Sequence, residues 1–457
     1  MNATADDRRS PTIARRTFLV GSGALAGMGL LPSCSRLSGR SSGGKNTVKW
    51  AQFYTRQAGA AAEGNKRWLQ AVIAQFKKEN AGWSVQLEGY DYDKIDQRLI
   101  LDMRAGVHHD VSLTTPQLMA QHAQAGSLLD LSTDLRTWGS DQVKDFDWNP
   151  VWQSCVVDNK QLGIPLGNDT RLLTYSEPLL HRAGLDPAES FGSLDGLLSA
   201  AQKLTTHDTW GLGMMLGSDR STTELSFAPL AWSFGGDIYD LTNRQATLTG
   251  DAAVQAAQWI YDAVHTKKVV APFAYAPTAT NDDILLNDFT AGKIACSFSF
   301  GNYWNQALQT ANMVNGCFPP SAACASSSAG VALLPTKGHA AFTNAWNISI
   351  ASNTTNAAMA WKLIEVILRP ELLRQYPDAG LPARLSEYAK PAYRTPFYQT
   401  WEDAAKDGRS MPATAHYQEL SDACAAALQE MLGGRRSDIL SVLRRSERDW
   451  NSKYAGM

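Results

Sequence analysis

The sequence of 457 residues predicts an α/β protein with two lobes, each built on a mainly parallel sheet flanked by helices. Strand and helix patterns alternate at a short rhythm near the start of the folded region, as they do where helices connect the parallel strands of one sheet. Residues 47–457 exceed what a single hydrophobic core usually accommodates, which favours two lobes. The composition, 44% hydrophobic and 19% charged, is typical of a globular protein.

The alternating elements occupy the region up to residue 125. Hydrophobic periodicity predicts, in chain order, a strand over 47–54, a helix over 58–80, a strand over 83–89, a helix over 92–104, a strand over 109–114 and a helix over 117–125. Ligands of such sheets bind beyond the carboxyl ends of the strands. We therefore expect one binding rim to contain Tyr54, Asp91, Tyr92 and Thr115.

The later part of the chain is richer in helix. The patterns predict a strand over 162–167, helices over 193–204, 223–234, 251–267 and 279–290, strands over 293–300 and 341–351, a helix over 356–368, and a mostly helical tail over 416–454. Pro370 stops the helix that begins at residue 356, because proline cannot continue an α-helix.

The N-terminal segment has the pattern of an export signal. Its apolar run, Phe18–Leu31, is too short for a membrane-spanning helix and follows four arginines, as the apolar region of a secretory signal does. A buried helix is the alternative interpretation. It is disfavoured because a Ser/Gly/Arg/Lys stretch with the composition of a flexible tether follows over 35–46.

Two short motifs refine this interpretation. Arg15 and Arg16 resemble a twin-arginine export motif. Residues 31–34 resemble a bacterial lipobox that ends in Cys34, although Pro32 departs from the usual pattern. We therefore predict lipid modification of Cys34, with an export signal peptide over 1–33 and a lipid-anchored tether over 34–46.

The charge balance argues against a nucleic-acid partner. The full chain carries a formal net charge of −2. Loss of residues 1–33 would remove four arginines and two aspartates and leave about −4. Neutralisation of a phosphate backbone requires clustered Lys and Arg residues instead.

Cysteine usage gives one candidate disulfide. Five cysteines follow Cys34, so at least one thiol would remain unpaired even if disulfides form. Cys317 and Cys324 share a loop-like stretch and are the candidate pair. No histidine and no second cysteine pair lie at the sequence spacing that metal ligands require. We therefore expect neither a metal site nor a cofactor.

Local patterns over most of the chain after the tether resemble the extracellular solute-binding proteins of ABC importers. The resemblance is to the carbohydrate-binding family, family 1, which includes maltose-binding protein. It depends on the number, order and spacing of several segments: Asp110-Val111, 125–131, Gly163–Pro165, 173–187, Phe234–Gly236, 289–295, 380–384 and Met411-Pro412.

This resemblance implies a two-lobe periplasmic-binding-protein type II fold whose lobes are joined by a hinge of crossing strands. The crossings would fall near 168–171, 344–348 and 385–390. Lobe one would comprise 47–168 plus 348–386, and lobe two 170–344 plus 387–457. The implied protein is a monomeric lipoprotein on the outer face of the cytoplasmic membrane, which captures a carbohydrate between its lobes and delivers it to an ABC permease.

The family pattern also places candidate ligand-binding residues at the crossings. Asp169 would accept hydrogen bonds from sugar hydroxyls, and Arg171 would either bind ligand or pair with Asp169. Alternatively, Asp169 caps a turn. Further candidates, several of them aromatic residues that could stack on a sugar ring, are Trp232, Phe300, Tyr303, Trp304, Trp346, Asn347 and Arg384. A position in the helix core is the alternative for Trp232.

Three rival functions are open at this point. One is an adhesin or sensor subunit that uses the same fold to report on its ligand and differs mainly in its partner. A glycerophosphodiester or another polar, sugar-like headgroup is the alternative ligand, and Arg384 would then contact its phosphate. A secreted glycoside hydrolase is a more distant alternative, which requires two carboxylates about 5–10 Å apart. Only Asp91 and Asp169 qualify as candidates, and neither lies in a hydrolase-like motif. We therefore expect a binding protein and not an enzyme.

Overall fold

The structure is a computed structural model that describes residues 46–57, 60–92, 94–147, 149–276, 282–300, 328–335, 341–376 and 381–457. Strands β1 to β16 are, in chain order, Thr47–Gln52, Ser84–Gly89, Val111–Thr114, Val156–Val157, Lys160–Gln161, Ile164–Pro165, Gly167–Thr170, Leu172–Ser176, Trp210–Gly213, Tyr239–Asp240, Gln245–Ala246, Ile294–Phe300, Ala329–Ala332, Thr343–Asn344, Asn347–Ile350 and Leu381–Pro382.

Helices α1 to α19 are, in chain order, Ala60–Glu79, Ile95–Arg104, Met119–Ala125, Ser132–Leu135, Ser140–Lys144, Asn149–Gln153, Glu177–Arg182, Pro187–Ser190, Leu194–Leu204, Arg220–Thr222, Ala228–Ser233, Asp251–Tyr261, Asp282–Thr290, Ala357–Ile367, Pro370–Leu373, Leu385–Tyr388, Pro396–Lys406, Tyr417–Gly433 and Ile439–Tyr454. Two π-helical turns, Thr223–Phe227 and Asp262–Thr266, continue this helical structure.

The first sheet has the strand order β2-β1-β3-β15-β6. Helix α1 covers it with buried residues at helical spacing, including Trp68, Val72 and Phe76. The indole N–H of Trp68 donates a hydrogen bond to the carbonyl oxygen of Leu372 (3.1 Å). This bond ties an early helix to a segment some three hundred residues later, so the core forms only after the chain has returned to the first sheet.

The second sheet has the strand order β13-β8-β12-β9 and a hydrophobic core of its own. Helix α9 packs against β9 through residues that recur at three- and four-residue spacing: Leu194, Leu197, Leu198, Ala201 and Leu204. Its start is fixed by Ser193, whose hydroxyl accepts a hydrogen bond from the N–H of Gly196 (2.9 Å). The two separate cores agree with the predicted α/β organisation.

Both sheets are mainly parallel, as predicted, and each contains one strand that runs against the others: β15 in the first sheet and β8 in the second. In the first sheet β1 runs parallel to β2 and β3, but β15 runs antiparallel to β3 and to β6. In the second sheet β12 is parallel to β9, whereas β8 is antiparallel to β12 and β13. Strand β15 comes from a distant part of the chain and joins the first sheet in the opposite direction, which a local strand–helix rhythm does not reveal.

A third, smaller sheet has the strand order β14-β7-β16. Strand β7 connects β6 of the first sheet to β8 of the second, and pairs antiparallel with β14 and β16. Strands β7 and β14 lie near two of the predicted crossings. At the third, residues 385–388 form helix α16, and the strand lies just before it at Leu381–Pro382.

The described cysteines after the tether are buried thiols. Cys155, Cys296 and Cys424 are free, and burial raises the pKa of each thiol to about 12. The candidate disulfide partners Cys317 and Cys324 lie outside the described residues. So do Cys34, Arg15 and Arg16. Within the described part of the chain, every helix is too short or too polar to cross a membrane.

Candidate ligand-binding cleft

A cavity of about 590 Å³ lies where the first sheet, the connecting strands and the helices of the second core meet. Its size is within the range of small-molecule binding sites. The lining residues come from these distant segments of the chain: Tyr92, Thr115, Asp169, Arg171, Met215, Ser218, Asp219, Arg220, Ser221, Glu224, Leu225, Phe342, Asn344, Ala345, Trp346, Gln418 and Asp422.

The cavity brings together several of the residues that the sequence nominated. Tyr92 and Thr115 follow strands β2 and β3, at the carboxyl edge of the first sheet. Asp169 lies in β7 and Arg171 directly after it, while Trp346 lies between β14 and β15. The structure therefore supports the choice of strand ends as candidates. The role of these side chains in ligand binding remains a prediction.

One wall of the cavity is aromatic. The ring of Trp346 lies 5.3 Å from that of Tyr92 and 4.5 Å from that of Phe53, measured between centroids. Phe53 is fully buried, whereas Tyr92 is 50% exposed and Trp346 is half-buried. The buried ring of Phe53 packs against the other two rings, whose accessible parts can offer flat apolar surface to a ligand.

A charged pair occupies the connecting strands. The Arg171 guanidinium donates to Oδ2 of Asp169 over 2.6 Å, and both side chains line the cavity. Asp169 lies opposite Asn344 in the β7–β14 pairing. The two roles considered for Arg171 are therefore compatible, because the residue forms the ion pair and also faces the cavity.

Thr115 is held by a buried network behind the cavity. Its hydroxyl donates to Oδ2 of Asp96 (3.1 Å), and its backbone N–H donates to Oδ1 (2.9 Å). The ring Nε2 of His122 lies 3.1 Å from the same Oδ1. Since the hydroxyl proton is already engaged, the oxygen of Thr115 can offer only its lone pairs to a ligand.

Sequence reasoning missed the charged residues at the start of the long helical segment 220–233. Glu224 lies in the π-helical turn and is buried, and its carboxylate accepts a hydrogen bond from the Tyr417 hydroxyl (2.9 Å). Burial raises the pKa of Glu224, although Arg220 and Tyr417 oppose this effect. A glutamate inside an apolar helical pattern was the available signal, because a buried carboxylate needs partners.

Arg220 lies one turn before Glu224, and its guanidinium carbon is 5.9 Å from the ring centroid of Tyr92. Burial alone would lower the pKa of Arg220, but the negative groups around it, Glu224 first among them, raise it. The arginine therefore stays charged and is surrounded by groups that compensate its charge.

Three predicted ligand residues lie in hydrophobic cores or within a sheet. Tyr54 is 2% exposed, and its hydroxyl forms a hydrogen bond with that of Tyr376 (2.5 Å). Trp232 is 2% exposed within the second core, which was the alternative considered for it. Asn347 is buried in β15, opposite Thr114. Alternation along a strand or helix does not identify which side faces the cleft, so the sequence pattern could not foresee where these three side chains lie.

Two charged candidates have partners elsewhere on the molecule. Asp91 is exposed and pairs with Arg56 (2.6 Å). Arg384 pairs with Asp145 (2.9 Å) and its guanidinium lies 4.4 Å from the ring centroid of Phe146. Arg384 also donates to the carbonyl oxygen of Leu368. The position of Arg384 is thus explained by packing within the fold. Of the two carboxylates considered as a catalytic pair, Asp169 is among the residues that line the cavity, whereas Asp91 is not.

The remaining aromatic candidates are not resolved by these contacts. Tyr303 and Trp304 lie outside the described residues, and of Phe300 only the backbone is described, at the end of β12. Among the residues that the structure does describe, His, Cys, Asp and Glu side chains form no group of three suited to a metal ion.

The fold is shared with solved solute-binding proteins. The structure superimposes on an ABC transporter solute-binding protein from Thermotoga lettingae bound with α-D-tagatose, with a TM-score of 0.73, 20% identity and coverage of 89% of this chain and 99% of the other. It likewise matches UgpB from Mycobacterium tuberculosis in complex with glycerophosphocholine, with a TM-score of 0.71, 17% identity and coverage of 90% and 99%. These matches confirm the predicted two-lobe fold.

Sequence comparison agrees with the fold. A relative from Brucella abortus (strain 2308), whose name describes it as a binding protein, is 22% identical over 379 residues, which are 80% of this chain and 85% of the relative. The family model described as bacterial extracellular solute-binding protein matches residues 71–428. This family consists of binding proteins and not enzymes, and it works outside the cytoplasm, as predicted. The chain belongs to the bacterial extracellular solute-binding proteins.

Proposed function

We propose that the protein captures a carbohydrate in the cleft and delivers it to the transmembrane subunits of an ABC importer. The observation that supports this most directly is the joint placement of Trp346 and Tyr92 with Asp169 and Arg171 around one cavity. A sugar presents apolar C–H faces and a ring of hydroxyls. Aromatic rings suit the former, and charged hydrogen-bonding groups suit the latter.

The cavity volume of about 590 Å³ is compatible with a mono- or oligosaccharide, including an amino sugar. Carboxylate oxygens accept hydrogen bonds from hydroxyls, and guanidinium groups donate to hydroxyl oxygens. Both kinds of group are present in the lining. The site therefore has the chemistry to bind a polyhydroxylated ligand without a metal or a cofactor.

Closure of the cleft would provide the signal to the permease. Ligand contacts made from both sides stabilise the closed form by differential affinity, and hinge closure around ligand is established for periplasmic binding proteins. The connecting strands β7, β14 and β16 are the proposed hinge, with lobe one over 47–168 plus 348–386 and lobe two over 170–344 plus 387–457.

The N-terminal signals supply the proposed cellular setting. The twin arginines Arg15 and Arg16 would direct export, and a lipid on Cys34 would hold the monomeric protein at the outer face of the membrane. The segment over 35–46, rich in serine and glycine, would then act as a flexible tether between the anchor and the lobes.

A glycerophosphodiester is the alternative ligand, and the M. tuberculosis protein bound to glycerophosphocholine shares the fold. Arg384 was the residue expected to contact its phosphate, but Arg384 is engaged with Asp145 instead. This contact favours the carbohydrate.

Thermal-shift measurements on residues 47–457 would test the proposal. The panel would contain mono- and oligosaccharides, amino sugars and glycerophosphodiesters. A ligand at about 100 times its Kd adds roughly 2.7 kcal/mol to the free energy of unfolding and raises the melting temperature. A shift with one sugar class supports carbohydrate import. A shift with phosphodiesters alone favours the alternative, and the absence of any shift contradicts both.

A further inference from the structure

We infer that the cleft selects neutral or positively charged sugars and excludes sugars that carry a carboxylate or a phosphate. This substrate class rests on the proposed function and narrows it.

Negative side chains outnumber positive ones in the described lining. Four carboxylates, Asp169, Asp219, Glu224 and Asp422, face the same cavity as two guanidinium groups, those of Arg171 and Arg220. The formal charge of these six groups is −2 when all are ionised and −1 when Glu224, whose pKa burial raises, is protonated. An anionic ligand would enter a space whose net charge repels it.

Carboxylates compensate the charge of both arginines, through direct contact at Arg171 and through the nearby charge of Glu224 at Arg220. Arg171 contacts Asp169 at 2.6 Å, with the two side chains only 12% and 23% exposed. Arg220 lies one helical turn before Glu224, and the charge of Glu224 is the main cause that raises its pKa. A ligand carboxylate or phosphate would therefore have to compete with Asp169 at the guanidinium group of Arg171, and at Arg220 it would meet the repulsion of Glu224.

The other two carboxylates have spare acceptor capacity. Asp219 accepts the N–H of Ser221 at 2.9 Å through one oxygen, as the N-cap of helix α10. Asp422 accepts from the side-chain amide of Gln418 at 2.8 Å and is exposed. A carboxylate has about four lone-pair sites, so each can still accept from a hydroxyl or an ammonium group.

Thr115 adds another acceptor. Its hydroxyl proton is donated to Asp96, which is itself 3% exposed, and so the Thr115 oxygen can only accept from a ligand. Hydroxyls and ammonium groups can donate to these acceptors, whereas an ionised carboxylate or a fully ionised phosphate cannot. Charge and hydrogen-bond direction therefore select the same ligand class.

Isothermal titration of the purified full-length protein would test this selectivity. The probes are three sets with matched carbon skeletons: glucose, galactose and mannose with their common disaccharides; glucosamine and galactosamine; and glucuronate and galacturonate. We expect binding in the first or second set, and at least about tenfold weaker binding of the matched uronate. Equal or tighter binding of a uronate would overturn the inference and leave carbohydrate binding intact. Silence in every set would overturn the proposed function as well.

A charge-neutralising variant gives a second readout. The double variant Asp219→Asn, Asp422→Asn keeps the size of both side chains and the capping oxygen of Asp219. The affinity ratio between the neutral sugar and its uronate should fall several-fold, most clearly at low salt. Asp208→Asn is the matched control, since that carboxylate is 90% exposed in a different loop. An unchanged ratio in the double variant would contradict the electrostatic origin of the selectivity.

Discussion

Individual side chains around the cleft are held in place by their neighbours. Asp169 is fixed by Arg171, Thr115 by Asp96, and Glu224 by Tyr417. Trp346 is similarly supported by the buried ring of Phe53. Such preorganisation reduces the entropy that is lost when a ligand orders its site.

Asp169 is the residue whose loss should weaken ligand binding most directly. Asp169→Ala removes a charged acceptor, so we expect a loss of about 2 kcal/mol, or roughly 30-fold in Kd, in titrations with the sugar that the thermal-shift panel identifies. Arg171 would also lose its partner at 2.6 Å. Melting temperatures without ligand should therefore be compared in parallel.

Asp262→Ala is the matched control for Asp169→Ala. Asp262 also pairs with an arginine, Arg436, at 3.0 Å, but it lies on helix surface away from the cavity. Its replacement should leave Kd unchanged. Equal affinities of the Asp169 variant and the unmodified protein would remove Asp169 from the ligand site.

At the scale of elements, helix α9 and strand β9 pack so closely that a side chain larger than glycine does not fit between them at Gly211. A Cβ atom built on Gly211 would overlap the carbonyl oxygen of Ala201, which belongs to the helix backbone. Glycine is needed here because the strand and the helix approach each other closely. The atom that a Cβ would meet belongs to the helix backbone, which cannot rotate away as a side chain can. This contact positions the strand that leads into the residues lining the second side of the cleft.

Gly211→Ala should destabilise the protein by at least about 2 kcal/mol, because the added methyl group forces helix and strand apart. Chemical denaturation would show this as a lower transition midpoint. Gly433→Ala is the matched control: it lies at the exposed end of α18, and its Cβ would meet nothing within 4 Å. Alanine is the better helix former, so the control should be unchanged or more stable. Equal midpoints for the two variants would refute the close-approach argument.

At the scale of the whole molecule, the polypeptide leaves and re-enters the first sheet. The core around that sheet contains residues from Val48 to Leu166 and again from Ile348 to Ala383. Most residues of the second core come from Leu173–Phe342 and from Met411–Trp450. The connecting sheet brings the separate segments together and places the cleft beside them. The protein therefore has to close several long loops before either core is complete.

The predicted membrane anchor also belongs to the scale of the whole molecule, because it would decide where the two lobes operate. Cys34→Ala should release the protein from the membrane fraction into the soluble fraction, since the lipid would have no attachment site. Fractionation followed by immunoblotting measures this. Ser38→Ala, in the same tether, should leave the distribution unchanged. Retention of the Cys34 variant in the membrane fraction would contradict the lipobox interpretation.

The sequence by itself determined the α/β class, the order of most elements and the family. These depend on local periodicity and on short segments, which the chain carries whatever its final packing. It also located the strand ends that supply Tyr92, Thr115, Asp169, Arg171 and Trp346 to the cavity.

Only the tertiary structure decided which side of each element faces the cleft. In the folded protein Tyr54 and Trp232 lie in hydrophobic cores, Arg384 pairs with Asp145, and Glu224 lines the cavity. The tertiary structure also set β15 antiparallel in the first sheet. The physical reason is that these outcomes depend on contacts between residues far apart in the chain, whereas a periodic pattern reports only how each segment divides into buried and exposed positions.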